Sequence, residues 1–377
     1  MNTPEFGQSN ASEALRQDLI KGIRQNGPIT FANFMQRSLY EKHGFFSNRA
    51  AEFSGAREGN FLNETTFPEQ STLLGEAVAA QIRAVWDKME RPDRFDFVEV
   101  GGGTGSFAKT VIQTVKKAWP DFYEHLSYTI VDISPSLIST QKHKLAGEKV
   151  NLVLGSAINF PLRDVIGVIF SNELVDNIPF HRVKFENGRL REIFVGERDG
   201  KLVDIYGEPS TPALEEYLRE EKVSLKERQG THVSLLANEW MSQASKALKR
   251  GFVLTIDYGD YAQILRDTSN IFETVSLGII NESHDGQKVI YSQPGKYDIS
   301  TPVDFSALAI AGQKVGLRYI DIVSLGDFLQ ELGITELATF RAMSIKDPTE
   351  RMKYIDEIKR ILFRYSSPWQ VLLQQKV

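Results

Sequence analysis

The stretch FVEVGGGTGSF, residues 97–107, decides the fold. An apolar run ends in glycines at Gly101, Gly102, Gly103 and Gly105, and an apolar-periodic segment begins directly after them. A buried strand turning sharply into a helix reads this way. Glycine lets the backbone bend where a side chain would collide, and lets a ligand approach the main chain. In an open α/β sheet, that turn is where a nucleotide-like ligand binds.

Working outward, the pattern continues as strand 95–100, helix 106–118, strand 127–132, helix 135–144 and strand 151–154. A further strand, 164–171, and a helix over 240–249 leading into strand 251–257 supply strands four and five. Such alternation specifies an α/β, Rossmann-like doubly wound sheet covered by helices. The last two strands are expected at 288–292 and 319–324. Upstream, apolar spacing predicts two helices over 13–40, broken at Gly27 and Pro28, then a loop over 44–63 near a site and a helix over 70–89.

One segment departs from this rhythm. Residues 182–206 alternate across two turn signals, Asn187-Gly188 and Asp199-Gly200, which predicts an inserted antiparallel β-meander. An exposed charged helix is expected over 211–228. The chain thus divides into an N-terminal helical segment, 1–70, a first part of the core, 71–181, the insert, 182–235, and the remainder of the core, 236–377.

Composition narrows the function. Apolar residues make up 41% and charged residues 25%, ordinary values for a globular chain. With 44 basic against 49 acidic residues the net charge is −5, which argues against a surface built to neutralise nucleic acid. There is no cysteine, so thiolate metal sites, disulfides and cysteine nucleophiles are excluded. The six histidines show no ligand spacing, so no metal is expected. The first twenty residues carry no apolar run, no window approaches a membrane span, and the expected location is cytoplasmic.

The candidate site residues gather at one sheet edge. Glu99 precedes the glycine turn, whose G-x-G-x-G spacing lacks the last glycine of the dinucleotide fingerprint. Asp132 ends the next strand, where a carboxylate can accept hydrogen bonds from ribose hydroxyls, and Ile133 joins it as a candidate cofactor contact. After the third strand, Ser156 and Ala157 are small enough to leave room for an adenine ring. The fourth strand ends in FSNELVDNIPF, which brings Asn172, Glu173, Asp176 and Asn177 to the same edge. Asp257 and Tyr258 close strand five there, and Asp304 reads as a helix N-cap.

These residues resemble the MidA family of S-adenosylmethionine-dependent methyltransferases, a group that includes a mitochondrial arginine methyltransferase assisting respiratory complex I assembly. The resemblance runs from GPITFANFMQRSLYEKHGFF at Gly27 through LLGEAVAAQI at Leu73, VDISPSLISTQ at Val131, SNELVDNIPFHRV at Ser171 and LTIDYG at Leu254 to TPVDFSALA at Thr301. It implies that Glu99, Gly101, Gly103 and Gly105 hold the methionine portion of S-adenosyl-L-methionine. It also implies that Asp132 holds the ribose and that Asn172 and Glu173 face the sulfonium. Gly102 stands where the family usually has proline, Pro302 where it has histidine, and GNFLNETTFPEQ at Gly59 matches its family loop only loosely.

Methyl transfer from a sulfonium is an in-line displacement that needs alignment and exclusion of water more than catalytic groups. For an arginine acceptor, paired carboxylates clamp the guanidinium and accept its proton, and Glu173 with Asp176, three apart at an expected helix start, are the candidates. Asp257 and Tyr258 are the next candidates. Phe31, Phe34, Tyr40, Phe45 and Phe46 read either as the lining of a peptide channel or as ordinary packing. A protein arginine methyltransferase is the leading expectation. A small-molecule methyltransferase and a cofactor-binding but non-catalytic assembly factor are the alternatives, and a nicotinamide-dependent dehydrogenase is the remote one.

Overall fold

A computed structural model of the chain describes residues 6–48, 68–222, 224–267, 286–365 and 368–377. In chain order its N-terminal segment is α1 (Phe6–Asn26), β1 (Ile29–Thr30), α2 (Phe31–Tyr40), α3 (Phe45–Asn48) and α4 (Pro68–Lys88). The first half of the core is β2 (Phe95–Val100), α5 (Ser106–Ala118), α6 (Pro120–His125), β3 (Leu126–Asp132), α7 (Pro135–Lys144), β4 (Val150–Leu154) and β5 (Val165–Asn172). The insert holds β6 (His181–Glu186), β7 (Arg189–Arg198), β8 (Lys201–Gly207), α8 (Ala213–Glu220) and β9 (Gly230–Val233). The core resumes with α9 (Leu235–Ala247), β10 (Leu248–Asp260), α10 (Ala262–Asp267), α11 (Gly286–Ser292), β11 (Val303–Asp304), α12 (Phe305–Lys314) and β12 (Arg318–Ser324). It closes with α13 (Leu325–Glu331), α14 (Ile334–Ser344), α15 (Pro348–Tyr365) and β13 (Trp369–Lys376).

The main sheet runs β12-β13-β10-β5-β2-β3-β4, with β13 antiparallel to both neighbours and the other pairs parallel. Strand order reverses between β2 and β5, so a crevice opens at the carboxyl ends of the two central strands. Alternation fills both faces. Phe95 and Phe97 of β2 pack with α4 and α5, while Val98 and Val100 pack with α9 and α12. The insert forms a second sheet, β1-β7-β6-β9 with β8 on β7. Its two hairpin turns place Asn187 (φ 55°), Gly188 (74°), Asp199 (51°) and Gly200 (76°) in the left-handed region, the conformation of a turn matched to strand twist. A third aromatic cluster joins α1, α2 and α3 to this insert through Phe31, Phe34 and Phe180.

Four expectations are corrected. Residues 288–292 lie in helix α11, not a strand, and the last strand is β13 at the carboxyl end; so short an apolar run fits either state, and Ile290 and Tyr291 are buried in the N-terminal cluster. The helix expected over 211–228 ends at Glu220. Glu221 turns inward to Arg266 (2.5 Å), which also reaches Asp304 (2.9 Å), and Lys222 takes φ 56°. That helix is also not simply exposed, because Leu214, Tyr217 and Leu218 are buried. Glu173 and Asp176 do not start a helix, since Glu173 has φ 49° and the chain crosses this stretch in turns. Residues 49–63 of the loop expected over 44–63, and 59–67 of the family loop at 59–70, lie outside the described residues.

The centre of the sheet depends on backbone contact. Asp96, Gly167 and Gly251 stand side by side across β2, β5 and β10. Gly167 (φ 145°) and Gly251 (φ 134°) have no room for a Cβ, which would strike the carbonyl oxygens of Asp96 and Gly167 respectively. Gly167→Ala is therefore expected to destabilise the fold by about 2–4 kcal/mol, read as a lower urea midpoint. An unchanged midpoint would refute this close packing.

Candidate active site

The glycine turn owes its spacing to backbone conformation. Gly101 (φ 78°), Gly103 (51°) and Gly105 (85°) all lie in the left-handed region, every second residue, where a side chain would be strained. Gly102 answers to packing instead, because a Cβ there would come 2.5 Å from Ile130 Cγ2. The Gly101 N–H donates to Val131 O and the Gly105 N–H to Gly102 O, both at 2.9 Å. From α7, Lys144 Nζ donates to Thr104 Oγ1 (2.7 Å) and Ser106 Oγ (2.5 Å), tying the turn to the next helix.

Beside the turn, Glu99 is buried and accepts a hydrogen bond from Tyr128 Oη at 2.8 Å. Asp132 is 4% exposed, with Oδ1 accepting from Ser134 N and Oδ2 from Gln141 Nε2, each at 3.0 Å. Burial pushes its carboxyl up to about 6, against the donors of Ser134, Gln141, Gly102 and Ile133 that hold it down. Ile133 is 40% exposed and Leu154, opposite Asp132 on β4, is 58% exposed, so two apolar faces stand open at this rim. Ser156 Oγ accepts from Ile158 N at 3.2 Å, and both Ser156 and Ala157 are half-buried.

Across the crevice lies a cluster of carboxylates. Asn172 ends β5 half-buried, and the Glu173 N–H donates to Ile256 O at 3.0 Å. Asp257, fully buried, accepts at Oδ2 from Val175 N (2.9 Å) and Asp176 N (3.2 Å) and at Oδ1 from Tyr258 N (2.9 Å). Its carboxylate thus fastens the loop that carries Asp176. Asp176 is 4% exposed, and its Oδ1 has no hydrogen-bond partner among the described residues. Burial, then the charges of Asp257, Asp298 and Glu173, raise Asp176 well above the carboxylate range; burial, then Glu173, raises Asp257. Asn177 Nδ2 donates to Asp298 Oδ1 at 2.8 Å, and Tyr258 Oη donates to Ser300 Oγ at 2.8 Å.

The N-terminal segment covers this edge. Tyr40 Oη donates to Asn177 O (2.8 Å), its ring stacks on Phe46 at 5.5 Å, and Ser134 Oγ donates to Phe46 O (3.0 Å). Burial, then the charges of Asp298, Asp176 and Asp132, raise the Tyr40 phenol, so this side chain faces both halves of the site. Phe31, Phe34 and Phe45 are buried in the core of the segment, which is packing, whereas Tyr40 and Phe46 reach the crevice half-buried. Asp304 caps α12, accepting from Ala307 N at 3.0 Å. Pro302 lines a small cavity with Val175, Thr301 and His232, away from the glycine turn.

Sequence reasoning overlooked Gln141, Leu154 and Asp298. Gln141 was visible as the last residue of VDISPSLISTQ, two helical turns into α7; no local signal marked the other two. Among the described residues, no three histidine, aspartate or glutamate side chains are arranged to hold a metal ion, and no helix is long and apolar enough to cross a membrane.

Residues 77–323 match the family described as "Putative S-adenosyl-L-methionine-dependent methyltransferase". "Protein arginine methyltransferase NDUFAF7 homolog, mitochondrial" of Drosophila melanogaster is 24% identical over 357 residues, 87% of this chain and 76% of the relative. "Protein arginine methyltransferase NDUFAF7, mitochondrial" of Mus musculus is 26% identical over 361 residues, 88% of this chain and 76% of the relative. A Burkholderia thailandensis protein solved bound to S-adenosyl-homocysteine superposes with a TM-score of 0.78 at 22% identity, covering 100% of this chain and 95% of that one. The relatives correct one expectation: these NDUFAF7 proteins are mitochondrial by name, which overturns the cytoplasmic location. The chain belongs to this family of S-adenosyl-L-methionine-dependent methyltransferases, and S-adenosyl-L-methionine is its cofactor.

Proposed function

We propose that the chain methylates arginine in a partner protein. The observation that carries this reading is Asp176 Oδ1, a buried carboxylate oxygen without a hydrogen-bond partner among the described residues, set among Asp257, Asp298 and Glu173. Carboxylates buried side by side ionise only at a cost unless a cation compensates them, and a planar guanidinium with five N–H donors is the side chain best able to satisfy several carboxylates together. The names of the relatives support the same acceptor.

The residues at the rim fit the cofactor. Glu99, Gly101, Gly102, Gly103 and Gly105 would hold its methionine portion, Asp132 would accept from the ribose, Ile133, Ser156 and Ala157 would line the adenine place, and Asn172 and Glu173 would lie on the sulfonium side. When bound, the cofactor supplies a methyl group activated by a positively charged sulfur. Glu173 and Asp176 would hold the guanidinium at the crevice, and one of them would accept the proton that the guanidinium loses when the methyl group passes from sulfur to nitrogen. Asp257 positions this pair through the Val175 and Asp176 N–H groups, and Tyr258 walls the acceptor side.

Glu173→Gln tests the division of labour. Titration should show S-adenosylhomocysteine affinity within about threefold of wild type, while methylarginine formed in partner protein, measured by mass spectrometry, falls by about 100-fold or more. Equal loss of both would move Glu173 to the cofactor side.

Stability supplies a second test. Asp176 and Asp257 hold protons in the folded state at pH values where the unfolded chain, titrating near 4, has released them. Folding is therefore favoured at low pH, and that contribution is lost as pH rises from about 4 through the raised folded values. Melting temperature should decline across that window in wild type and decline less in Asp176→Asn. Matching profiles would contradict the clustered-carboxylate account.

A further inference from the structure

Gln141 is fully buried on α7, and its one amide nitrogen serves two acceptors, Gly103 O at 2.9 Å and Asp132 Oδ2 at 3.0 Å. The glycine turn is moulded against the same side chain. A Cβ on Gly102 would lie 3.3 Å from Gln141 Nε2, and one on Gly105 would lie 3.4 Å from its Cγ and 3.5 Å from its Cα. Three residues on, Lys144 grips Thr104 and Ser106, so one face of α7 holds the whole turn.

We propose that Gln141 is a positioning residue for the cofactor, joining the glycine turn to the Asp132 carboxylate so that the methionine and ribose subsites form as one unit. The inference rests on Asp132 as the ribose acceptor. Only a primary amide at this reach presents two N–H groups on a single atom, one for a carbonyl and one for a carboxylate. Methionine fills the volume without donating; glutamate keeps the shape but sets a second carboxylate against Asp132. Asparagine is one methylene too short.

This arrangement has a signature that packing alone would not produce. Asp132 must be ionised to accept from two ribose hydroxyls, and the Gln141 donor is among those that hold its carboxyl down against burial. Ionisable side chains on neighbouring elements include Tyr40 of α2, Glu99 of β2 and Lys144 of α7. The first is kept neutral by burial, the second bonds Tyr128, and the third bonds Thr104 and Ser106. None of them replaces the amide.

The experiment is calorimetric titration with S-adenosylhomocysteine from about pH 5 to 8, on full-length wild type, Gln141→Met, Gln141→Glu and Asp132→Asn, each first checked for folding by circular dichroism. Wild-type affinity should fall below about pH 6. Gln141→Met should bind about tenfold more weakly at neutral pH, with its acid midpoint moved upward. Gln141→Glu should move that midpoint further, and it carries the test if the methionine variant does not fold. Unchanged binding in both variants, or weaker binding with an unmoved midpoint, would overturn the proposal. Asp132→Asn should bind weakly and lose the acid limb; wild-type binding by this variant would instead overturn the ribose reading beneath the proposal.

Discussion

Three left-handed glycines fix the rest of the site. Because Gly101, Gly103 and Gly105 each take a positive φ, the chain leaves β2 and enters α5 within a few residues and presents bare backbone to the crevice. Everything nearby is shaped to that path. Gly102 has no side chain because Ile130 occupies the space, α7 lies close enough for Gln141 and Lys144 to hold the turn, and Asp132 is drawn inward to the same amide. A Rossmann-like sheet supplies the crevice, but this turn determines what can lie in it.

On the opposite wall the governing quantity is charge. Asp257 sits in the middle of the sheet edge with no exposure and is matched by three backbone N–H groups, an arrangement that holds the loop after β5 in its turns. Asp176 receives no such compensation at Oδ1. A folded protein seldom leaves a buried carboxylate oxygen so placed without a ligand to complete it. The N-terminal helices close over both walls through Tyr40 and Phe46, so the two sides of the crevice share one roof.

The sequence carried the core well where local pattern and tertiary packing agree. FDFVEV followed by alternating glycines read as a strand and turn because its apolar face and its φ demands are both local properties. The meander was legible from Asn187-Gly188 and Asp199-Gly200 for the same reason. The failures came where long-range contact decides. WQVLLQQK became the last strand only by pairing with β10 and β12, and α8 ends where Glu221 turns inward to Arg266. At the site, Asp132, Glu173, Asp176 and Asp257 could be placed at one edge from strand ends alone. The unpartnered Oδ1 of Asp176, the fastening role of Asp257 and the bifurcated amide of Gln141 are properties of three-dimensional neighbours. Asp298 approaches from a segment with no motif of its own.

The ligand of the glycine turn decides the function of this protein most directly. Titrating the purified protein with S-adenosylhomocysteine, and separately with NADH, measures it. One site of micromolar affinity for S-adenosylhomocysteine and no heat from NADH is the predicted result. NADH binding that S-adenosylhomocysteine displaces, or folded protein that does not bind S-adenosylhomocysteine, would contradict it.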